Sequence, residues 1–118
     1  MLAAIHLETH GQTQVARIVG EIDASNASDF TAQLKDGLPN SALGLVLDLS
    51  ETSYIDSSGV HLIFDLADAL RRRQQILQLV VAPDTFVSDV LGVVNVTTVA
   101  HTSQSLEEAL EALRDPDF

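Results

Sequence analysis

A nearly unbroken apolar run at residues 43–49, followed closely by an amphipathic pattern, places the strongest limit on the architecture of this chain. Such a short, continuous run is typical of a central strand that is buried on both faces. We interpret the polar residues 50–53 as a turn. From residue 60 to residue 70 the apolar positions recur at intervals of three and four, as on one face of a helix. A buried strand followed by such a helix predicts a layered α/β fold.

The N-terminal part of the chain fits the same architecture. Alternating apolar residues on both sides of a turn at residues 10–13 predict an opening hairpin. Apolar residues at intervals of three and four over residues 27–38 then predict a helix. Asp23, Ser25 and Asn26 are candidates to cap its start, because their short polar side chains accept hydrogen bonds from unpaired backbone N–H groups.

The C-terminal half continues the alternation of strands and helices. A strand at residues 77–81 is followed by a short helix that Pro83 opens and Gly92 stops. A further strand is predicted at residues 96–99, and an S-x-x-E capping box at Ser105 begins the last helix. The order β-β-α-β-α-β-α-β-α predicts a mixed, mostly parallel sheet with an antiparallel N-terminal hairpin strand and about four helices. We expect all 118 residues to form one domain.

The composition excludes several functions. Six Lys and Arg against 17 Asp and Glu give a net charge of −11, which repels nucleic-acid phosphates and anionic lipid headgroups. There are no cysteines, so disulfides, thiolate metal sites and Cys nucleophiles are excluded. No uncharged apolar run approaches the roughly 18 residues of a membrane span. We therefore expect a cytoplasmic protein with no nucleic-acid partner and no membrane partner.

Known catalytic patterns are incomplete in this chain. Asp48 ends a hydrophobic strand as in a response-regulator receiver, but a receiver also needs a late Lys, and the only Lys here is Lys35. A serine hydrolase needs a glycine before its nucleophile, whereas Gly59 follows the serines. The histidines, none of them paired at metal-ligand spacing, are His6, His10, His61 and His101. We therefore expect no enzyme activity, no metal site and no cofactor.

Two hydroxyls at the start of the second predicted helix are the best candidates for a functional site. The residues Asp56, Ser57, Ser58 and Gly59 follow the buried strand and precede that helix. Backbone N–H groups at a helix N-terminus are unpaired and the helix dipole is positive there, so a phosphate on either serine would gain charge-assisted hydrogen bonds. Alternatively, one of the two serines is the N-cap of the helix, which is worth about 1 kcal/mol.

The chain resembles the anti-sigma factor antagonists of the STAS-domain family over nearly its whole length. The features that carry this resemblance are the turn at residues 20–23, the strand at 45–49, the loop at 56–59, Gly92 after the third helix, and residues 105–110. The resemblance implies a STAS-like fold and a bacterial protein that regulates sigma-factor-dependent transcription by exchanging partners.

By the same resemblance, Ser57 is the phosphoacceptor of a partner anti-sigma factor that is itself a serine kinase. The unphosphorylated protein binds this kinase and frees the sigma factor. Phosphorylation releases the kinase, and a PPM-type phosphatase resets the switch. Asp23, Asp56 and Ser58, the second hydroxyl of the loop, are expected to shape the contact with the partner. Gly59, which allows close approach of the backbone, is expected to belong to the same contact.

The chain departs from the family pattern at two places. His61 stands in the first turn of the helix, where relatives often have a smaller residue. It either contacts the partner or faces water, and contact would make binding pH-sensitive near neutrality. Residues 72–75 lack the glycine that usually ends this helix. STAS domains also serve as accessory subunits of membrane transport systems and in sensory assemblies, which is the alternative function.

Overall fold

The computed structural model describes residues 3–114, which form six strands and four α-helices. The strands are β1 (Ala4–His10), β2 (Thr13–Ile22), β3 (Gly44–Asp48), β4 (Thr52–Ile55), β5 (Ile76–Val80) and β6 (His101–Ser103). The helices are α1 (Ala27–Asp36), α2 (Ser57–Arg72), α3 (Phe86–Val93) and α4 (Leu106–Arg114). A 3₁₀ turn lies at Val96–Thr98.

The strands form a mixed sheet in the order β1-β2-β3-β5-β6, and β4 pairs with β2 outside this path. β1 and β2 are antiparallel and are joined by a turn in which Gly11 has a φ of 62°. The other strand pairs are parallel. The predicted α/β class, with its mostly parallel sheet and antiparallel N-terminal hairpin strand, is therefore confirmed.

The two faces of the sheet bury cores of unequal size. Along β3, Leu45 and Leu47 belong to the larger core, which includes residues of α1, α2 and α3. Val46 belongs to the smaller core on the opposite face, with Ala109 and Leu113 of α4. Because successive strand residues point to opposite faces, a strand covered on both sides is apolar at almost every position. All of β3 is buried, which confirms the central strand predicted from the apolar run.

β2 is the strand that positions the loops of interest. Residues 13–17 pair with β3, and its last three residues pair with β4. The change of partner falls at Gly20, where the register shifts and φ is 105°, a backbone conformation that favours glycine. Since β2 and β4 are parallel and end in register, with Ile22 opposite Ile55, the loops that follow them are neighbours at one edge of the sheet.

The turn predicted at residues 50–53 is wrong in its second half, because β4 begins at Thr52. The buried hydroxyl of Thr52 donates to the backbone carbonyl of Ile18 at 2.8 Å. Only the first and last of the four β4 residues are buried. The strand therefore has no alternating pattern from which it could be predicted.

The C-terminal half departs from prediction in two places. The strand predicted at residues 96–99 is wrong, because these residues form the 3₁₀ turn, and the last strand is the short, largely exposed β6. Gly92 does not stop α3, which continues to the next residue, and Asn95 then takes a left-handed φ of 55°. The cap predicted at Ser105, before α4, is confirmed, since Oγ of Ser105 accepts the backbone N–H of Glu108 at 3.2 Å.

Candidate functional site

The N-terminus of α2 is capped by Asp56 and by neither serine. Oδ1 of Asp56 accepts the backbone N–H of Ser58 at 2.8 Å and that of Gly59 at 3.3 Å. Asp56 has the extended backbone typical of an N-cap, and its own N–H donates to the carbonyl of Ile22 at 3.3 Å. The alternative that a serine serves as the N-cap is therefore wrong.

Because the carboxylate of Asp56 caps α2, the hydroxyl of Ser57 is not used to cap the helix. Ser57 is the first residue of α2 and is exposed, while Ser58 is half-buried. The Ser57 hydroxyl makes no hydrogen bond with any residue between 3 and 114. An exposed, unengaged hydroxyl at a helix N-terminus is sterically open to a modifying enzyme.

The two serines lie on the wall of an open groove of about 590 Å³ between α1 and α2. The groove is lined by Ala24, Ala27, Ser28, Thr31, Ala32, Ser57, Ser58, His61, Leu62 and Asp65. His61 is exposed on this wall, one helical turn beyond Ser57. The structure thus brings together three of the predicted site residues, Ser57, Ser58 and His61, beside one another.

Sequence reasoning missed the α1 side of the groove. Ser28 and Thr31 are three residues apart on α1, so they lie on the same face of that helix and both line the groove. Asp65 lines the groove from α2. Nζ of Lys35 donates to Oδ2 of Asp65 at 3.0 Å and joins the two helices. The spacing along each helix is visible in the sequence, but the pairing of α1 with α2 is set by the sheet.

Gly59 is buried because α2 approaches the ends of β2 and β4 closely. A Cβ atom at this position would lie 2.4 Å from Cγ1 of Ile55 and 3.1 Å from Cγ2 of Ile22. The distance to Ile55 is shorter than carbon atoms tolerate and the distance to Ile22 is tight, so only glycine fits without movement of the neighbouring residues. The helix therefore holds its first turn, with Ser57 and Ser58, directly against the sheet.

Asp23 lies in the neighbouring loop, after β2. Its Oδ1 accepts hydrogen bonds from the hydroxyl of Ser25 and, at 2.9 Å, from the backbone N–H of Ser25. These bonds, the hydroxyl first, lower the pKa of Asp23 below its ordinary value. Asn26 occupies the N-cap position of α1 without a side-chain cap bond. Asp23 is therefore a loop-stabilising carboxylate rather than a helix cap, and it is the next residue, Ala24, that lines the groove.

Other kinds of site are not found in residues 3–114. No group of three or more His, Asp or Glu side chains there is arranged to hold a metal ion. No helix in the same range is long and apolar enough to cross a membrane.

The fold is that of a recognised family. The model of the STAS domain matches residues 4–109, and the chain belongs to the STAS domain family.

Solved structures agree with this assignment. An anti-sigma factor antagonist from Mycobacterium paratuberculosis is 21% identical with a TM-score of 0.86, over 97% of this chain and 96% of that one. The anti-sigma factor antagonist SpoIIAA in its unphosphorylated form is 23% identical with a TM-score of 0.77, over 94% and 96%. Bacillus SpoIIAA in the phosphorylated form is 20% identical with a TM-score of 0.65, over 94% and 100%.

The same fold also occurs in a transporter-related protein. A sulfate transporter family protein from Wolinella succinogenes is 16% identical with a TM-score of 0.75, over 91% of this chain and 88% of that one. At these identities the likeness establishes the shared fold, and the function has to be argued from the site.

Proposed function

We propose that this chain is an anti-sigma factor antagonist, a non-enzymatic cytoplasmic regulator that binds an anti-sigma factor serine kinase until Ser57 is phosphorylated. A PPM-type phosphatase would restore the binding form. The observation that carries the proposal is the cap of α2. Because Asp56 satisfies the backbone N–H groups of Ser58 and Gly59, the Ser57 hydroxyl is free to react. The named function of two of the structural relatives, SpoIIAA and the mycobacterial antagonist, is consistent with it.

The reaction is a phosphoryl transfer from ATP held by the kinase. Oγ of Ser57 attacks the γ-phosphorus, its proton passes to a base of the kinase, and ADP leaves. Ser57 is exposed, so the kinase can bring its nucleotide to the hydroxyl without unfolding α2.

The charge of the phosphate supplies the release step. A phosphoserine carries about −1.5 to −2 charges at neutral pH. The N–H groups of Ser58 and Gly59 already donate to Asp56, so the phosphate adds charge beside an existing carboxylate on a chain of net charge −11. A loss of about 3 kcal/mol in the interface lowers affinity more than a hundredfold. Release by repulsion and steric conflict thus requires no refolding of the domain.

The test uses purified anti-sigma factor serine kinases encoded in the same genome, each incubated with this protein and ATP. Mass spectrometry should locate one phosphate on Ser57. Ser57→Ala should bind the kinase without being modified, and Ser57→Asp should bind much more weakly. Ser41→Ala is the matched control, because Ser41 is another exposed serine that precedes β3 and does not line the groove, and it should be modified like the wild type.

Two outcomes would contradict the proposal. Undiminished binding of the kinase by Ser57→Asp would show that charge at this position does not control release. Failure of every kinase to bind or modify the wild-type protein, together with co-purification of a membrane transport ATPase, would favour the accessory-subunit function suggested by the transporter-related fold relative.

A further inference from the structure

α3 is apolar on two sides, and one of these sides is exposed. Val87 and Leu91 point into the larger core, as expected for a helix packed on a sheet. Phe86 and Val93 lie two turns apart on a different side of the helix, whereas Val90 between them is partly buried against the larger core. Phe86 is 51% exposed and Val93 is 82% exposed. A helix of eight residues that presents large apolar side chains to water has an unpartnered face.

Tyr54 extends this face toward the start of α2, where Asp56 and Ser57 lie. Its ring stacks on that of Phe86, with the centroids 5.4 Å apart and the planes within 7°, although Tyr54 remains 39% exposed and Phe86 51% exposed. Tyr54 belongs to β4 and precedes the cap residue Asp56 by two positions. The surface formed by Tyr54, Phe86 and Val93, here called the α3 surface, therefore adjoins in the chain the segment that bears Asp56 and Ser57.

The border of the α3 surface is acidic. Asp84 and Asp89 are exposed at the start of α3, and neither forms an ion pair with a described residue. The sequence has no Lys or Arg between Arg73 and Arg114. Two copies of this chain that met through α3 would bring these carboxylates together, which is unfavourable. The chemistry of the surface fits an apolar segment bordered by basic side chains on a different protein.

We propose that the α3 surface is a second contact for the anti-sigma factor kinase, receiving an apolar segment of that kinase flanked by Lys or Arg. This inference rests on the proposed function, because the partner is the same kinase. Tyr54 and Phe86 supply the kind of exposed aromatic anchor that dominates many interfaces. The kinase then binds through two contacts: the α3 surface, which phosphorylation leaves intact, and the start of α2 at Ser57, which phosphorylation blocks.

The experiment measures the dissociation constant of the unphosphorylated protein with each purified kinase in the presence of ADP, by calorimetry. Val93→Glu should weaken binding about tenfold or more, because it places an unpaired carboxylate in an apolar contact, and Phe86→Ala should act in the same direction because it removes an aromatic anchor. Leu43→Glu is the matched control. Leu43 is also an exposed apolar residue, 44% exposed, but it precedes β3 at the other end of the strands, so binding should not change. Both Val93 and Leu43 are exposed enough for their variants to fold.

The outcomes separate this inference from the proposed function. If Val93→Glu and Phe86→Ala bind like the wild type while Ser57→Asp does not, the α3 surface is not a kinase contact and the proposed function stands. If no kinase binds the wild type, both are overturned. Sedimentation of the wild type and Val93→Glu provides a further check, because a self-association lost in Val93→Glu would assign the surface to a second copy and overturn the inference.

Discussion

Oδ1 of Asp56 accepts the backbone N–H of Ser58 at 2.8 Å, so the residue next to the proposed phosphoacceptor is the one that caps α2. Replacing Asp56 with Ala removes this cap and should lower the free energy of unfolding by about 1 kcal/mol. Asp56→Asn should cost less, because Asn caps helices about as well as Asp. Urea denaturation of both variants measures the difference, and equal losses would show that the charge rather than the cap stabilises the helix.

Gly59 should not tolerate even one added methyl group. Gly59→Ala places a Cβ 2.4 Å from Ile55, and overpacking of this kind costs about 1–3 kcal/mol. Gly92→Ala is the control, because a Cβ there meets nothing within 4 Å and the residue lies within α3. In a helix Ala is more stable than Gly by about 1 kcal/mol, so this variant should match or exceed the wild type. Thermal unfolding of the pair tests the prediction, and equal melting temperatures would contradict it.

Asp23 should remain ionised below the pH at which an ordinary Asp is half protonated. Its pKa is lowered by the hydrogen bonds from the hydroxyl and the N–H of Ser25. A lowered pKa in the folded state means that the stabilisation of the loop is complete above the ordinary pKa and is lost as the pH falls through the folded value. Carboxyl NMR titration should show the shift, and Ser25→Ala should move the pKa of Asp23 upward. An unchanged pKa in Ser25→Ala would assign the shift to another cause.

Gln78 is a polar residue in an apolar position. It is 1% exposed on β5, and neither of its amide atoms has a hydrogen-bond partner among residues 3–114. Alternation along the strand places it on the face of Ile76 and Val80, which pack in the smaller core with α4. A buried unsatisfied polar group costs about 1–3 kcal/mol, so Gln78→Met, with similar volume, should raise the free energy of unfolding. A decrease would show that the amide is satisfied in solution.

The main architecture could be predicted from the sequence because it depends on strong local patterns. The apolar run at residues 43–49 identified the central strand, and the helical spacing that follows identified α2. Short elements were less predictable. β4 and β6 have four and three residues, and with few buried side chains they carry no clear period. Their positions depend on pairing with β2 and β5, which is a long-range property.

The site could be predicted in part for the same reason. The serines and Asp56 were identified because they are contiguous in the sequence. Which of them caps α2 depends on the extended backbone of Asp56 and on the two hydrogen bonds that its carboxylate accepts. The stacking of Tyr54 on Phe86 joins residues that are far apart in the chain, so no local pattern indicated it. Ser57 as the phosphoacceptor and Asp23 and His61 as partner contacts remain predictions.

β2 pairs first with β3 and then, from Gly20 onward, with β4, and this arrangement has a consequence for recognition. Asp23 follows the last residue of β2, and Ser57 follows β4 by two residues. These two parallel strands end side by side, with Ile22 opposite Ile55 and the carbonyl of Ile22 accepting the N–H of Asp56. The separation of the segments that bear Asp23 and Ser57 is thus set by backbone geometry before any other molecule arrives. A protein that contacts both segments finds them already held at a fixed separation. Binding therefore loses little conformational entropy in ordering these two segments.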